Sequence, residues 1–219
     1  MTTQTKNLKP YISSLPFIAI LRGIQTHECE AVVAGLYDAG FRCIEIPLNS
    51  PDALKSIELL AKKMPVDCLL GAGTVLTKLS VNQVAQAGGK LIVMPHCDTE
   101  LILESNRLDL FSTPGVATLS EAFAALNCSA SALKLFPSES VAPSVLKNWR
   151  TVLPKDALCL PVGGIKPASM KEYLLAGANG FGLGAALYQP GMSAQEVKSK
   201  AEDFKKSLVL ENSAKLQLN

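Results

Sequence analysis

Cys43-Ile44-Glu45-Ile46-Pro47-Leu48-Asn49-Ser50-Pro51 carries the pattern on which the fold turns: a short apolar run, a turn, then the start of a helix. Cys43–Leu48 is too short for a helix, and its isoleucines alternate with Glu45. Ser50-Pro51 then offers an N-cap followed by proline at the first helical position. The same unit recurs about eight times. Its other candidate strands are Phe17–Leu21, Cys68–Ala72, Leu91–Met94, Leu110–Thr113, Ala132–Phe136, Leu158–Val162 and Gly180–Leu183. These runs are apolar on both faces, as strands covered by helices must be.

The segments between them carry helix punctuation. Ser80–Gln83, Thr118–Glu121 and Ser193–Glu196 each match a capping box, which satisfies otherwise unpaired backbone N–H groups. Gly40, Gly88-Gly89 and Gly177 supply stops. Residues 4–14 fit a short extra helix closing the bottom of the fold. Eight β–α units without a linker predict an α/β protein of one domain over residues 1–219, a closed (β/α)8 TIM barrel with a short N-terminal helix. A doubly wound open sheet is the alternative. It would carry a G-x-G-x-x-G fingerprint after strand one, where this chain has Leu21-Arg22-Gly23-Ile24.

Composition agrees. The 219 residues are 48% hydrophobic, 18% charged and 5% aromatic, which argues against disorder. A net charge of +2, without a basic block, leaves no nucleic-acid footprint; Lys198 to Lys206 is broken by Glu202 and Asp203 and reads as a solvated helix face. Six scattered cysteines without C-x-x-C spacing suit a reducing, cytoplasmic compartment. No signal-peptide core or membrane-length apolar run occurs, so a soluble intracellular protein without a membrane partner is expected.

In a barrel of this kind the active site lies at the C-terminal strand ends. Arg22, Glu45, Thr74, His96, Thr113 and Lys134 are the polar residues in or just after the strands. Alternation puts Lys134 on the face opposite Leu133 and Leu135, pointing inward. Burial there lowers an amine's pKa toward the free base that attacks carbonyls. On the strand pattern alone, a packing lysine paired to a carboxylate, or one snorkelling to the surface, explains it equally well. Glu45 faces inward by the same argument. A carboxylate beside an amine is what imine chemistry needs as general acid and base, whereas a buried ion pair contributes little net stability. Gly163-Gly164 and Gly182-Leu183-Gly184-Ala185 end the last two strands, where missing side chains let an anion reach backbone N–H groups. His96 is one of two histidines and has no metal-ligand spacing, so a metal-free site is expected. Arg22 stays open between an anion and a surface carboxylate, and Trp149 reads as helix packing.

Together, Ile20-Leu21-Arg22-Gly23, Glu45-Ile46-Pro47-Leu48-Asn49-Ser50-Pro51, Gly71-Ala72-Gly73-Thr74-Val75, Lys134-Leu135-Phe136-Pro137 and Pro161-Val162-Gly163-Gly164-Ile165 resemble the 2-keto-3-deoxy-6-phosphogluconate/galactonate (KDPG/KDPGal) aldolases of the KDPG/KHG family. The resemblance implies a homotrimeric barrel without metal or cofactor, taking a phosphorylated keto acid and releasing pyruvate. It implies Lys134 as the imine-forming lysine and Glu45 as the general acid/base. Thr74 would help hold the pyruvyl carboxylate, with Arg22 a further anion-facing group; Pro95 and Phe136 would line the pocket, and Gly163, Gly164 and Gly184 would meet the phosphate. Asn49 and Val162 look like the galactonate branch, the gluconate branch tending to arginine and threonine there. Ala185 departs from the family's frequent serine, which removes one hydrogen bond to phosphate, on the order of 1 kcal/mol.

The competing readings are a gluconate-specific or dual aldolase, a phosphosugar isomerase or epimerase without an imine, and a non-catalytic sensor of a phosphorylated metabolite. Paired inward Lys134 and Glu45 argue against the last, since a sensor has no reason to bury both.

Overall fold

The computed structural model describes residues 6–216. Its strands are β1 (Phe17–Ile20), β2 (Cys43–Pro47), β3 (Leu69–Gly73), β4 (Leu91–Val93), β5 (Phe111–Thr113), β6 (Gly115–Val116), β7 (Leu133–Leu135), β8 (Cys159–Pro161) and β9 (Phe181–Leu183). Helices α1 (Lys9–Ile12), α2 (Cys29–Asp38), α3 (Ala53–Ala61), α4 (Lys78–Gln86), α5 (Thr99–Arg107), α6 (Leu119–Asn127), α7 (Pro143–Trp149), α8 (Met170–Leu175) and α9 (Ala194–Leu216) alternate with them. All strand pairs are parallel, forming a curled six-stranded sheet, β5-β4-β3-β2-β1-β9, and a three-stranded sheet, β6-β7-β8.

Each expected strand is present within a residue or two, and a short further strand, β6, follows the fifth. Pro114 has no N–H to give a ladder, so pairing breaks between β5 and β6. Its carbonyl still accepts from the Lys134 N–H at 2.9 Å. At the other edges, a parallel bridge joins Val162, just past β8, to Gly182 in β9.

Side-chain alternation sorts the core into two layers. Ala19, Ile44, Ile46, Leu70, Ala72, Ile92, Leu133, Leu135 and Leu183 pack outward under the helices. Ile18, Cys43, Leu69, Leu91, Val93, Ala132, Leu158 and Leu160 form a separate inner cluster, joined by Leu8 and Ile12 of the N-terminal segment. The expected short helix thus exists as α1 and plugs the strands' N-terminal side; residues 4 and 5 of that expectation lie outside the described residues. The inner cluster fills only that side, leaving the C-terminal ends for polar groups.

Two of the expected caps are corrected. Helix α3 begins at Ala53 after Asp52, and Ser50 Oγ instead accepts the Gly23 N–H at 2.8 Å, tying two strand-end loops together. Helix α4 is capped a turn earlier, with Thr77 Oγ1 accepting the Ser80 N–H. The Thr118–Glu121 box forms as expected, and Ser193 and Glu196 exchange backbone–side-chain bonds in the same way. Gly40, Gly88 and Gly177 end helices with φ of 106°, 85° and 100°. Trp149 is buried at the end of α7. Lys198, Lys205 and Lys206 pair with Asp38, Glu202 and Asp203 on the surface of α9. Among the described residues no helix is long and apolar enough to cross a membrane.

Because Leu8 is fully buried against the inner cluster, Leu8→Ala is expected to cost about 2–5 kcal/mol in urea unfolding. A loss below about 0.5 kcal/mol would mean that the N-terminal plug is not part of the core.

Candidate active site

Lys134 lies at the centre of β7 with the inward parity of Ala132, and only 5% of it is exposed. Its Nζ stands 4.5 Å from the centroid of the Phe136 ring, two residues along on the same face. Burial lowers its pKa below that of an ordinary lysine; the nearby Arg22 charge adds to the shift, while Glu45 opposes it.

Glu45 enters from β2 and is 1% exposed. Burial pushes its carboxyl up to about 7, against the pull of Lys134 and Arg22. Its Oε2 has no hydrogen-bond partner. The carboxylate occupies the space over Gly73 on β3, where any Cβ would collide with it. That the residue before Thr74 is glycine is therefore a condition of where Glu45 sits.

Arg22, just beyond β1, is held by two neighbours. Its Nη1 donates to Asn49 Oδ1 at 2.6 Å, and its Nη2 to Thr74 Oγ1 at 3.3 Å. Thr74 has φ of 54°, a left-handed conformation that costs a β-branched residue energy and persists only where the surroundings impose it. Arg22 therefore faces an amide and a hydroxyl rather than the carboxylate that the sequence left open.

These groups border a cavity of about 440 Å³ at the strand ends. Of the eleven candidate residues, Arg22, Lys134, Phe136, Val162, Gly163, Gly164, Gly184 and Ala185 line it. Thr74 and Glu45 adjoin it through Arg22 and Lys134. Pro95 is not among its walls; its carbonyl packs instead against Gly115, the register partner of Lys134. Gly163 and Gly164 have consecutive positive φ of 102° and 61°, a backbone turn that side chains disfavour. Ser138 Oγ donates to the Gly163 carbonyl at 2.5 Å and fixes that turn. Among the described residues no cluster of three or more His, Cys, Asp or Glu is placed to hold a metal ion.

A model of the KDPG and KHG aldolases matches residues 9–202. The chain belongs to the KDPG and KHG aldolase family. It is an aldolase of the Schiff-base class, and so a lyase. A probable 2-dehydro-3-deoxy-6-phosphogalactonate aldolase of Rhizobium meliloti is 45% identical over 186 residues, covering 85% of this chain and 88% of that protein. A solved native KDPGal structure superposes with a TM-score of 0.88 at 40% identity, covering 91% of this chain and 97% of that one. A KDPG aldolase of Legionella pneumophila, solved with pyruvate captured as a covalent carbinolamine, has a TM-score of 0.77 at 27% identity, over 88% and 93% of the two chains.

Within this aldolase the cavity has walls that sequence reasoning passed over. Ile20, Ile165, Lys166, Gly182, Ala186 and Gln189 also line it. Ile20 carries the inward parity of Ile18, a signal that was available. Lys166 and Gln189 lie in loops beyond the strands, where no periodicity marks direction. Asn49 was singled out for substrate preference, but its contact with Arg22, 27 residues away, has no signature in one sequence.

The raised pKa of Glu45 has a stability consequence of definite sign. The folded protein binds this proton more tightly than the unfolded chain, so the group's contribution is full below pH 4.5 and is lost as pH rises to about 7. Urea unfolding of the wild type and Glu45→Gln should therefore diverge across that window, the wild type losing ground, and run parallel above it. Parallel curves throughout would show that Glu45 is not held at a raised pKa.

Proposed function

We propose that this aldolase cleaves 2-dehydro-3-deoxy-6-phosphogalactonate to pyruvate and D-glyceraldehyde 3-phosphate through an imine on Lys134. The observation that carries this reading is the burial of Lys134 and Glu45 on one inner face, each shifted toward its uncharged form. An amine that gives up its proton readily attacks carbonyls, and a carboxyl near pH 7 serves as both acid and base. The substrate is supported by the relative so named and by Asn49 and Val162.

Lys134 Nζ adds to the C2 ketone, and the carbinolamine loses water to a protonated imine. Glu45, through a water, takes the C4 hydroxyl proton as the C3–C4 bond breaks and its electrons move into the imine. Glyceraldehyde 3-phosphate leaves, the enamine is reprotonated at C3, and hydrolysis frees pyruvate and the amine. The protonated imine is the electron sink, so the chemistry calls for no metal ion or organic cofactor. Arg22 and Thr74 hold the pyruvyl carboxylate, and Phe136 flanks the carbon chain. Val162 meets the C4 region, and Gly163, Gly164, Gly184 and Ala185 receive the phosphate.

In this reading residues 1–219 form one closed (β/α)8 barrel domain, with β5 and β6 as halves of the fifth strand. The Val162–Gly182 bridge supports closure at the opposite seam. A homotrimer is the expected assembly, supported by exposed Leu79, Leu103 and Phe123 on the neighbouring helices α4, α5 and α6. Six free cysteines suit a cytoplasmic protein.

Borohydride reduction in the presence of pyruvate should add a reduced pyruvyl group to Lys134, and Lys134→Met should show neither the adduct nor measurable cleavage. An adduct on another lysine, or wild-type cleavage by Lys134→Met, would refute the mechanism. Glu45→Gln should lower kcat about 10²–10⁴-fold and remove the rise of kcat/KM with pH through about 7, where the carboxyl ionises. Turnover of the galactonate substrate should exceed that of its C4 epimer, and a preference for the gluconate epimer would reverse the substrate assignment.

A further inference from the structure

The far end of the cavity pairs a missing donor with an unused cation. Ala185 presents a methyl group where the phosphate is expected, and Lys166, two residues past Gly164, lines the same cavity. We propose that Lys166 is a phosphate-binding residue of this enzyme, its ammonium meeting the substrate's terminal phosphate in place of a hydroxyl at Ala185. The proposal deepens the aldolase reading above and rests on it.

Charge is the first argument. The described residues that line the cavity include three cations, Arg22, Lys134 and Lys166, and no carboxylate. A substrate with a carboxylate at one end and a phosphate at the other carries about three negative charges near neutrality. Arg22 is engaged at the β1–β3 side by Asn49 and Thr74. Lys134 is the amine consumed in the imine. Lys166 is therefore the cation left for the β8–β9 end, where Gly163, Gly164 and Gly184 stand.

The local field supplies the second argument. Glu139 lies against the glycine turn, so that a Cβ on Gly164 would come within 2.8 Å of its Oε1. That carboxylate repels a phosphate approaching the backbone N–H groups of the turn, and a cation in the same loop offsets it. Lysine suits the task as a compact point charge.

The third argument is anchoring. The Lys166 N–H donates to Ser169 Oγ at 3.1 Å, and Ser169 Oγ donates back to the Lys166 carbonyl at 3.0 Å. Pro167 then opens a short turn, Pro167–Ser169. The base of the side chain is thus fixed beside the glycines while the residue itself is exposed, and no ion pair among the described residues engages its ammonium.

The test runs the reaction as condensation of pyruvate with D-glyceraldehyde 3-phosphate and, separately, with D-glyceraldehyde, two aldehydes that differ only in the phosphate. Lys166→Met should raise KM for the phosphorylated aldehyde about ten- to thirtyfold, the size of one lost charge-assisted bond, with a much smaller change in kcat. The effect on glyceraldehyde should be at least about tenfold smaller. Lys166→Arg should recover most of the loss, and the salt sensitivity of KM should weaken in the methionine variant. Equal losses on both aldehydes, or an unchanged KM for the phosphorylated one, overturn the proposal. Pyruvate-dependent trapping of Lys134, run on wild type and Lys166→Met, separates the two failures. Trapping in both with an unchanged KM overturns the role of Lys166 alone; no trapping in the wild type overturns the aldolase reading and this proposal with it.

Discussion

Desolvation of one amine and one carboxyl on the same inner face is the constraint from which the rest of the site follows. Taking either charge out of water costs several kcal/mol even after relaxation. Lys134 and Glu45 reduce that cost by shifting toward their neutral forms, and each still feels the other's charge. A tight salt bridge would have lowered the same cost while locking both groups. Glu45 Oε2 is instead left without a partner. The arrangement is expensive for stability and useful for chemistry, because the amine can attack and the carboxyl can exchange a proton near neutral pH.

The fold makes this tolerable by dividing labour along the strands. The N-terminal half of the inner face is apolar, sealed by Leu8 and Ile12, while the outer faces pack under the helices. Stability is thus concentrated away from the strand ends. What remains at those ends is shaped by omitted side chains. Gly73 leaves room for the Glu45 carboxylate, and Gly182 leaves room for Val162 and Ile20. Across the cavity, Arg22 sits at the β1–β3 side and Lys166 at the β8–β9 side, so the proposed substrate, with a carboxylate at one end and a phosphate at the other, would meet a cation at each end.

Much of this was legible in the sequence, for reasons that can be named. Period-two alternation fixed the inward direction of Lys134 and Glu45, because Leu133, Leu135, Ile44 and Ile46 leave no other choice of face. The Thr118–Glu121 cap was legible because its two partners are three residues apart. Ser50 misled for an instructive reason: a serine before a proline is a local signal, but its hydroxyl went to Gly23, in a loop 27 residues away. The expected fifth strand stops at Thr113, before Pro114; that Gly115 and Val116 resume pairing beyond the proline was not legible, because two residues after a proline leave no alternation to read. The Arg22–Asn49–Thr74 cluster and the position of Lys166 arise only when separate strand ends converge, and neither leaves a trace in spacing.

The central claim is that Lys134 bonds covalently to the ketone carbon while Arg22 and Thr74 hold the adjoining carboxylate. The most direct measurement is a crystal structure of the protein soaked with pyruvate. The account predicts density continuous from Lys134 Nζ to C2, with the pyruvyl carboxylate facing Arg22 and Thr74 and Glu45 nearby. Pyruvate bound without a covalent link, or joined to a lysine elsewhere, would contradict it.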